Sequence, residues 1–437
     1  MPYDRMSTVT NVKWEGTVLR WDKKPYFTAE QIYTIRLSIV EDDGSYRTLT
    51  PVEVAGNTGM ADLGNTFAAG RRYAAQVIAH SDADILETMG LTDSRPSQAV
   101  IYDGSGTPEV PDDHDDTWVA ITSAQQWIDL ANVEDMPSDP ADSSSDSQQK
   151  VEWSRKYYLA NDLDFSQLSA AYQTKTKSIG NTNNRFNGVL DGNGYVIRGL
   201  TLSNYDSGLF WYVGASGYIY DLKVENANVL FSDNAAVLVH NNYGLMEQCA
   251  VVNTNITADT GAVLGGMVSR NYGTIRDSYV EGGTLTSNSA TSTGHAGFVG
   301  ANEEGGLIER CWTSMSVSTQ SDYAGGFVGL GYGGTIRNCF ALGNVSARSY
   351  SGGFVGRSVF QGNAYESCYA AGIVTVTGAE GNGFIGGNKP NSSFQYDQSE
   401  GVFNCYYSSE NTGTHDYGAE RRTPIQMRLA DFVRELG

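Results

Sequence analysis

Residues 325–345 read GGFVGLGYGGTIRNCFALGNV, and the same order of residue types returns along much of the chain. A glycine, an aromatic, an aliphatic and a second glycine lead into a polar turn. Then come an Ile, a polar pair, a Cys, an aromatic, small residues and a closing Val. Upstream copies are GLFWYVGASGYIYDLKVENANV (208–229), AVLVHNNYGLMEQCAVVNTNI (236–256), GGMVSRNYGTIRDSYVEGGTL (265–285) and AGFVGANEEGGLIERCWTSMSV (296–317). Downstream lie GGFVGRSVFQGNAYESCYAAGIV (352–374) and a degenerate copy over 383–407. The Cys slot holds Leu222, Cys249, Ser278, Cys311, Cys339, Cys368 and Cys405, at intervals of 27, 29, 33, 28, 29 and 37 residues. A unit this short cannot bury its own apolar face, so it must stack on its neighbours as a solenoid or a propeller.

The units are rich in Gly, Asn, Ser and β-branched residues, which form turns and strands better than helices. Each offers three strand-like runs, such as GFVG, TIRNCFAL and NVSAR. A propeller blade needs four strands in about 40 to 45 residues, more than most of these intervals provide. The expectation is an all-β chain whose main part is a parallel β-helix with three strands per coil.

The string GGFVGLGYGGTIRNCFALGNV resembles the GLUG repeat of bacterial surface proteins, found also in non-catalytic regions of secreted immunoglobulin A1 metallopeptidases. The resemblance covers about residues 208–407 and, more loosely, the run from Trp118. It implies a right-handed parallel β-helix used as a scaffold by many different proteins, so function must be argued from sites.

Composition supports a folded, turn-rich β protein: 50 Gly, only 10 Pro and 11% aromatics in 437 residues. A net charge of −21 repels phosphate backbones and anionic membranes, which excludes nucleic acid as the expected partner. No apolar run reaches the roughly 18 residues of a membrane span. The start, MPYDRMSTVT, has no basic-then-apolar signal region. Export would therefore be directed by sequence outside this chain, which reads as a fragment of something longer.

Residues 8–103 read as a separate β-sandwich of six strand-like runs divided by turn clusters. Trp21 in VLRW, Tyr33 in YTIRL and Tyr73 in RRYAAQV resemble the core Trp, next-strand Tyr and corner Tyr of a fibronectin type III module. A generic immunoglobulin-like sandwich is the alternative. Residues 104–117, Gly- and Pro-containing and acidic, form a linker, and residues 118–437 form the β-helix. SAQQWIDLAN (123–132) is a short amphipathic helix with Trp127, Ile128 and Leu130 inward, suited to covering the first open edge of the coil. A second helical cap is expected over 423–437, where Ile425, Met427, Leu429, Phe432, Val433 and Leu436 recur at helical spacing. The acidic, Ser-rich run 134–149 is a loop. Calcium is its functional alternative, although neither the twelve-residue calcium loop nor the nonapeptide calcium repeat is present. No cofactor is otherwise implied.

Chemistry is sparse. Asp162 and Asp164 stand two apart in LANDLDF, the separation of two carboxylates on one strand face, as an inverting glycosidase needs. The competing reading is that they satisfy turn backbone, as does Asp191 in LDGNG. The five His (His80, His114, His240, His295, His415) are scattered, with no His-Glu-x-x-His zinc helix. No G-x-S-x-G elbow or phosphate loop occurs.

Two columns remain. Cys249, Cys311, Cys339, Cys368 and Cys405 share one slot with Leu222 and Ser278, and are read as buried free thiols. The next slot holds Ala250, Tyr279, Trp312, Phe340, Tyr369 and Tyr406. If Cys faces inward, the rings of Tyr279, Trp312, Phe340, Tyr369 and Tyr406 face outward as a ladder. Inward-facing rings, or cover by the loop 287–294, are the alternatives. The functional expectation is a non-enzymatic, monomeric adhesin or ligand-binding stalk at the cell surface or outside it, recognising a glycan or protein. Two alternatives stay open: a spacer or substrate-docking module of a larger secreted enzyme, and a polysaccharide lyase or glycosidase.

Overall fold

In the computed structural model the chain divides into two compact units, Met1–Asp115 and Asp116–Leu429. The structure describes all residues except 1–3, 7, 16, 25–26, 41–45, 64–66, 68–70, 82–90, 95–96, 98–99, 103–113, 115–116, 134–147, 174, 204–207, 232–233, 260–262, 289, 291–292, 360–361, 388–400, 412, 414–416 and 429–437. The linker reading and the calcium reading of the acidic loop fall almost wholly outside the described residues.

The first unit is built mainly of antiparallel sheets. Ile32–Val40 pairs with Arg72–His80 on one side and with Tyr46–Thr48 and Val52–Ala55 on the other, and Val100–Tyr102 extends the sheet. Lys13–Glu15, Val18–Arg20 and Met60–Asp62 make a three-stranded sheet. Alternation along Ile32–Val40 turns Tyr33, Ile35 and Leu37 into a core shared with Trp14, Leu19 and Trp21. Trp21 meets Tyr33 edge to face at 5.4 Å. The Tyr33 hydroxyl accepts a hydrogen bond from the Lys24 backbone N–H at 2.5 Å. Burial pushes this phenol up to about 12, against the backbone bond from Lys24.

The second unit is a parallel solenoid of five sheets. Sheet one runs from Trp118–Ile121 to Val402–Phe403 and sheet two from Leu163–Asp164 to Glu420–Arg422. Sheet three runs from Thr201–Leu202 to Val374–Val376, sheet four from Phe210–Val213 to Val355–Ser358, and sheet five from Ala235–Ala236 to Gly381–Asn382. One coil takes in Ala324–Gly325, Val328–Gly331, Thr335–Arg337, Phe340–Ala341 and Val345–Ala347, one strand per sheet.

The coil therefore has five short strands where the sequence suggests three. The cause is a left-handed residue immediately before the Cys slot: Asp221, Gln248, Asp277, Arg310, Asn338, Ser367 and Asn404 all have φ between 50° and 55°. Such a residue turns the chain through a corner and resets the alternation. TIRNCFAL is thus cut into Thr335–Arg337 and Phe340–Ala341, with Ile336 and Cys339 both inward although three apart. A bend at Gly326 and Phe327 likewise divides GGFVG into two strands.

Helix α1 (Ala124–Ala131) follows the first strand of sheet one. Ser123 is its N-cap, its hydroxyl accepting from the Gln126 N–H at 3.3 Å. Trp127 and Ile128 are fully buried in the solenoid core. Trp127 donates to the Lys177 carbonyl at 2.9 Å and meets Phe210 edge to face at 5.7 Å. Most of the expected C-terminal helix, residues 429–437, lies outside the described residues. Before it the chain makes one 3-10 turn, Gln426–Arg428, and Ile425 is 75% exposed.

Candidate functional site

The corner residue decides which way each neighbour points. After it, the Cys slot enters the core: all five cysteines are free and at most 1% exposed. The next residue turns outward on sheet two. Lys223, Ala250, Tyr279, Trp312, Phe340, Tyr369 and Tyr406 pair in register from coil to coil, so they form one row. Tyr279, Trp312, Phe340 and Tyr369 are half-buried, whereas Tyr406 is buried with the Arg422 guanidinium 5.0 Å from its ring.

The four half-buried rings stack face to face. Centroid separations are 5.0 Å for Tyr279 and Trp312, 5.7 Å for Trp312 and Phe340, and 5.0 Å for Phe340 and Tyr369, with planes within 6°. Parallel strands lie about 4.8 Å apart, so in-register rings are held at stacking distance by the backbone. The consequence for binding is that the faces between neighbouring rings are occupied and the outward surface along the stack presents ring edges.

Two features flank the row. On the corner before it, the Arg310 guanidinium makes a two-pronged ion pair with Asp277, at 2.8 and 3.0 Å. On the strand side, Leu342, beyond Phe340, is 42% exposed. Sequence reading reached the ring row but not these neighbours. Asp277 and Arg310 lie 33 residues apart, and aligning the residue before each Cys slot is the signal that brings them together.

The thiol column has a uniform hydrogen-bond pattern. Cys339 Sγ lies 3.1 Å from the Arg337 carbonyl, and the Cys311 N–H points to Cys339 Sγ at 3.4 Å. At the serine rung the pattern repeats: Ser278 donates to the Arg276 carbonyl at 2.8 Å and accepts from the Cys249 N–H at 3.0 Å. Burial pushes the Cys249 thiol up to about 12, and raises Cys339 and Cys405 as well, whereas at Cys368 burial is outweighed by hydrogen bonds with Cys339 and Cys405, which lower it. Sealed in the core, none of the five sulfurs is accessible to an electrophile or a metal ion from solvent.

The acidic candidates are engaged locally. Asp162 accepts from the Val196 N–H at 2.9 Å and pairs with Arg198 at 2.5 Å. Asp164 caps the turn Phe165–Gln167, accepting from the Ser166 hydroxyl and N–H at 2.6 and 2.9 Å, and those bonds hold its carboxyl below its ordinary value. Asp191 accepts from the Asn193 N–H at 2.7 Å within its turn. Among the described residues no cluster of three or more His, Cys, Asp or Glu is arranged to hold a metal ion.

Comparison with known proteins adds three findings. Residues 321–346 match the family model described as the GLUG motif. No curated protein matches the sequence. Among solved structures, a Bacteroides ovatus protein provisionally assigned as an immunoglobulin A1 protease is similar at 18% identity, covering 73% of this chain and 88% of that one, with a TM-score of 0.48. The pectate lyase PelI of Erwinia chrysanthemi, solved with tetragalacturonic acid, follows at 12% identity, covering 95% of this chain and 100% of that one, with a TM-score of 0.21. The chain thus carries a GLUG motif, over residues 321–346, seated on a solenoid of stacked parallel coils.

Proposed function

We propose that the chain is a non-catalytic, extracellular binding module, in which a sandwich of fibronectin type III kind precedes a solenoid that docks a protein ligand along the outer face of sheet two. The observation that carries this reading is the stack Tyr279, Trp312, Phe340 and Tyr369, half-buried on an outer face with Leu342 exposed beyond Phe340. A continuous apolar strip of this kind marks a partner site more often than an idle surface. Trp and Tyr are the side chains that most often dominate protein interfaces. A protein fits better than a sugar, because sugar stacking requires open ring faces and these rings offer edges. The local engagement of Asp162, Asp164 and Asp191 supports a non-catalytic reading, since a general acid is served by a raised carboxyl and Asp164 has a lowered one.

The test is a binding screen of the native protein and Trp312→Ala against extracellular-matrix proteins, mucins and a glycan array. A protein hit that Trp312→Ala weakens about tenfold or more, with the variant still fully folded at the temperature of the binding measurement, supports the reading. Equal binding by both forms rejects the strip. Release of reducing sugar from neutral or acidic polysaccharides, with or without calcium, rejects the non-catalytic assignment.

A further inference from the structure

The outer face of sheet three differs from the other outer faces of the solenoid. Two rows of side chains point outward across consecutive rungs, and the strand pairings place them in register. One row is Thr257, Thr286, Ser318, Ser346 and Thr375. The other is Asn255, Thr284, Ser316 and Asn344, with the Thr284 hydroxyl donating to Asn255 Oδ1 at 2.9 Å. Exposed apolar residues bound the strip, Leu230 preceding Thr257 in the first row and Ile373 following Asn344 in the second. Between them Ile256, Leu285, Val317 and Val345 point into the core and are fixed there.

These nine positions carry only hydroxyls and amides, in a chain whose net charge is −21. The contrast with sheet one is direct: its outward row Glu247, Arg276, Glu309, Arg337 is wholly charged, with ion pairs of 3.0 and 2.6 Å across its rungs. Rings stacked from coil to coil elsewhere in the solenoid lie within 1° to 15° of parallel, so successive rungs rotate little.

We propose that this face binds a neutral, extended polysaccharide lying along the solenoid axis. The two rows are two residues apart on each strand, about 6.6 Å, which brackets one sugar ring. Two rungs, about 9.6 Å, come close to the length of one disaccharide of an extended β-linked chain, so neighbouring disaccharides meet similar hydroxyl contacts. Hydroxyl and amide groups both donate and accept, as sugar hydroxyls do. A charge-free face favours an uncharged polymer, because an acidic one would meet the long-range repulsion of the whole chain. Each contact is weak in water, so affinity is built by repetition along the strip. This site lies on a different sheet from the ring stack and does not depend on the protein-binding reading.

Isothermal titration with cellohexaose, mannohexaose and xylohexaose, beside their disaccharides and hexagalacturonate, tests it. At least one neutral hexasaccharide is expected to bind, more tightly than its disaccharide and more tightly than hexagalacturonate. Ser318→Glu, exposed and outside the core, should weaken that binding about tenfold, and the near-isosteric Thr286→Val about threefold. Both should melt as the native protein does, and Trp312→Ala should bind the sugar normally. Failure of all three neutral hexasaccharides overturns the proposal, as does equal or tighter binding of hexagalacturonate. So does indifference to Ser318→Glu, or loss of sugar binding in Trp312→Ala alone, which would move the polymer to the ring stack.

Discussion

Two four-ring stacks among the described residues of the solenoid have nearly the same geometry and different surroundings. Phe298, Phe327, Phe354 and Phe384 stack inside at 4.7, 4.7 and 5.0 Å, each fully buried. Tyr279, Trp312, Phe340 and Tyr369 stack outside at 5.0, 5.7 and 5.0 Å, each half-buried. Both spacings follow from parallel pairing in register, so stacking alone says nothing about function. The upstream occupants of each slot are more telling. The inner slot continues as Met267, Leu238 and Leu209, all fully buried and apolar, whereas the outer slot continues as Ala250 and Lys223. The inner stack answers to packing alone, and the outer one tolerates a charge.

This difference is open to direct attack. Phe327→Ala removes the ring between two stacking partners in a closed core and should cost about 3 to 5 kcal/mol, read as a lower urea midpoint with an unchanged slope. Trp312→Ala, also between two partners, should cost only about 1 to 2 kcal/mol because part of the ring is already in water. Equal losses in the two variants would make the outer stack core, and the protein-docking reading would lose its support.

Repetition made the coil legible, because a slot that recurs every 27 to 37 residues needs no long-range information to be seen. The sense of the outer row is only conditional in the sequence: the rings face out if Cys faces in, and inward-facing rings stay an open alternative. The corner was not legible. Asp, Gln, Arg, Asn and Ser all occupy it, at Asp277, Gln248, Arg310, Asn338 and Ser367, and no glycine announces its left-handed backbone. Without that corner, TIRNCFAL reads as one strand and the coil is short of strands. Contacts between coils, such as Asp277 with Arg310, depend on alignment across insertions of varying length. The degree to which a ring on an outer face is covered depends on such neighbours too.

A smaller effect is expected where the core meets polar groups. Ser278 shows that a hydroxyl in the Cys slot finds both a carbonyl and an N–H. Cys339→Ser should find the equivalent Arg337 carbonyl and Cys311 N–H, and cost about 1 kcal/mol, far less than Phe327→Ala. The native thiols should react slowly with a maleimide or disulfide reagent until the protein unfolds. Rapid labelling of several thiols in the folded protein would contradict a sealed column.

The smallest expected effect lies on the outer face of sheet two before the rings begin, where charges take their place. Glu225 pairs with Lys223 at 2.8 Å and with Arg198 at 3.3 Å. Burial works to raise its carboxyl, but the Lys223 ammonium and the Arg198 guanidinium outweigh it and hold the group below its ordinary value. A carboxyl depressed in the folded state contributes stability above its unfolded value, about 4.3, and loses that contribution as pH falls through the folded value. Glu225→Gln should therefore lower stability at pH 7 by about 0.5 kcal/mol or less, since the pair is near the surface. The gap between variant and native protein should close as pH falls below about 4.3, and should narrow in high salt. A gap that stays constant from pH 7 to pH 3 would assign the loss to packing of the side chain, and charge would then contribute no more to this end of the face than it does to the ring stack.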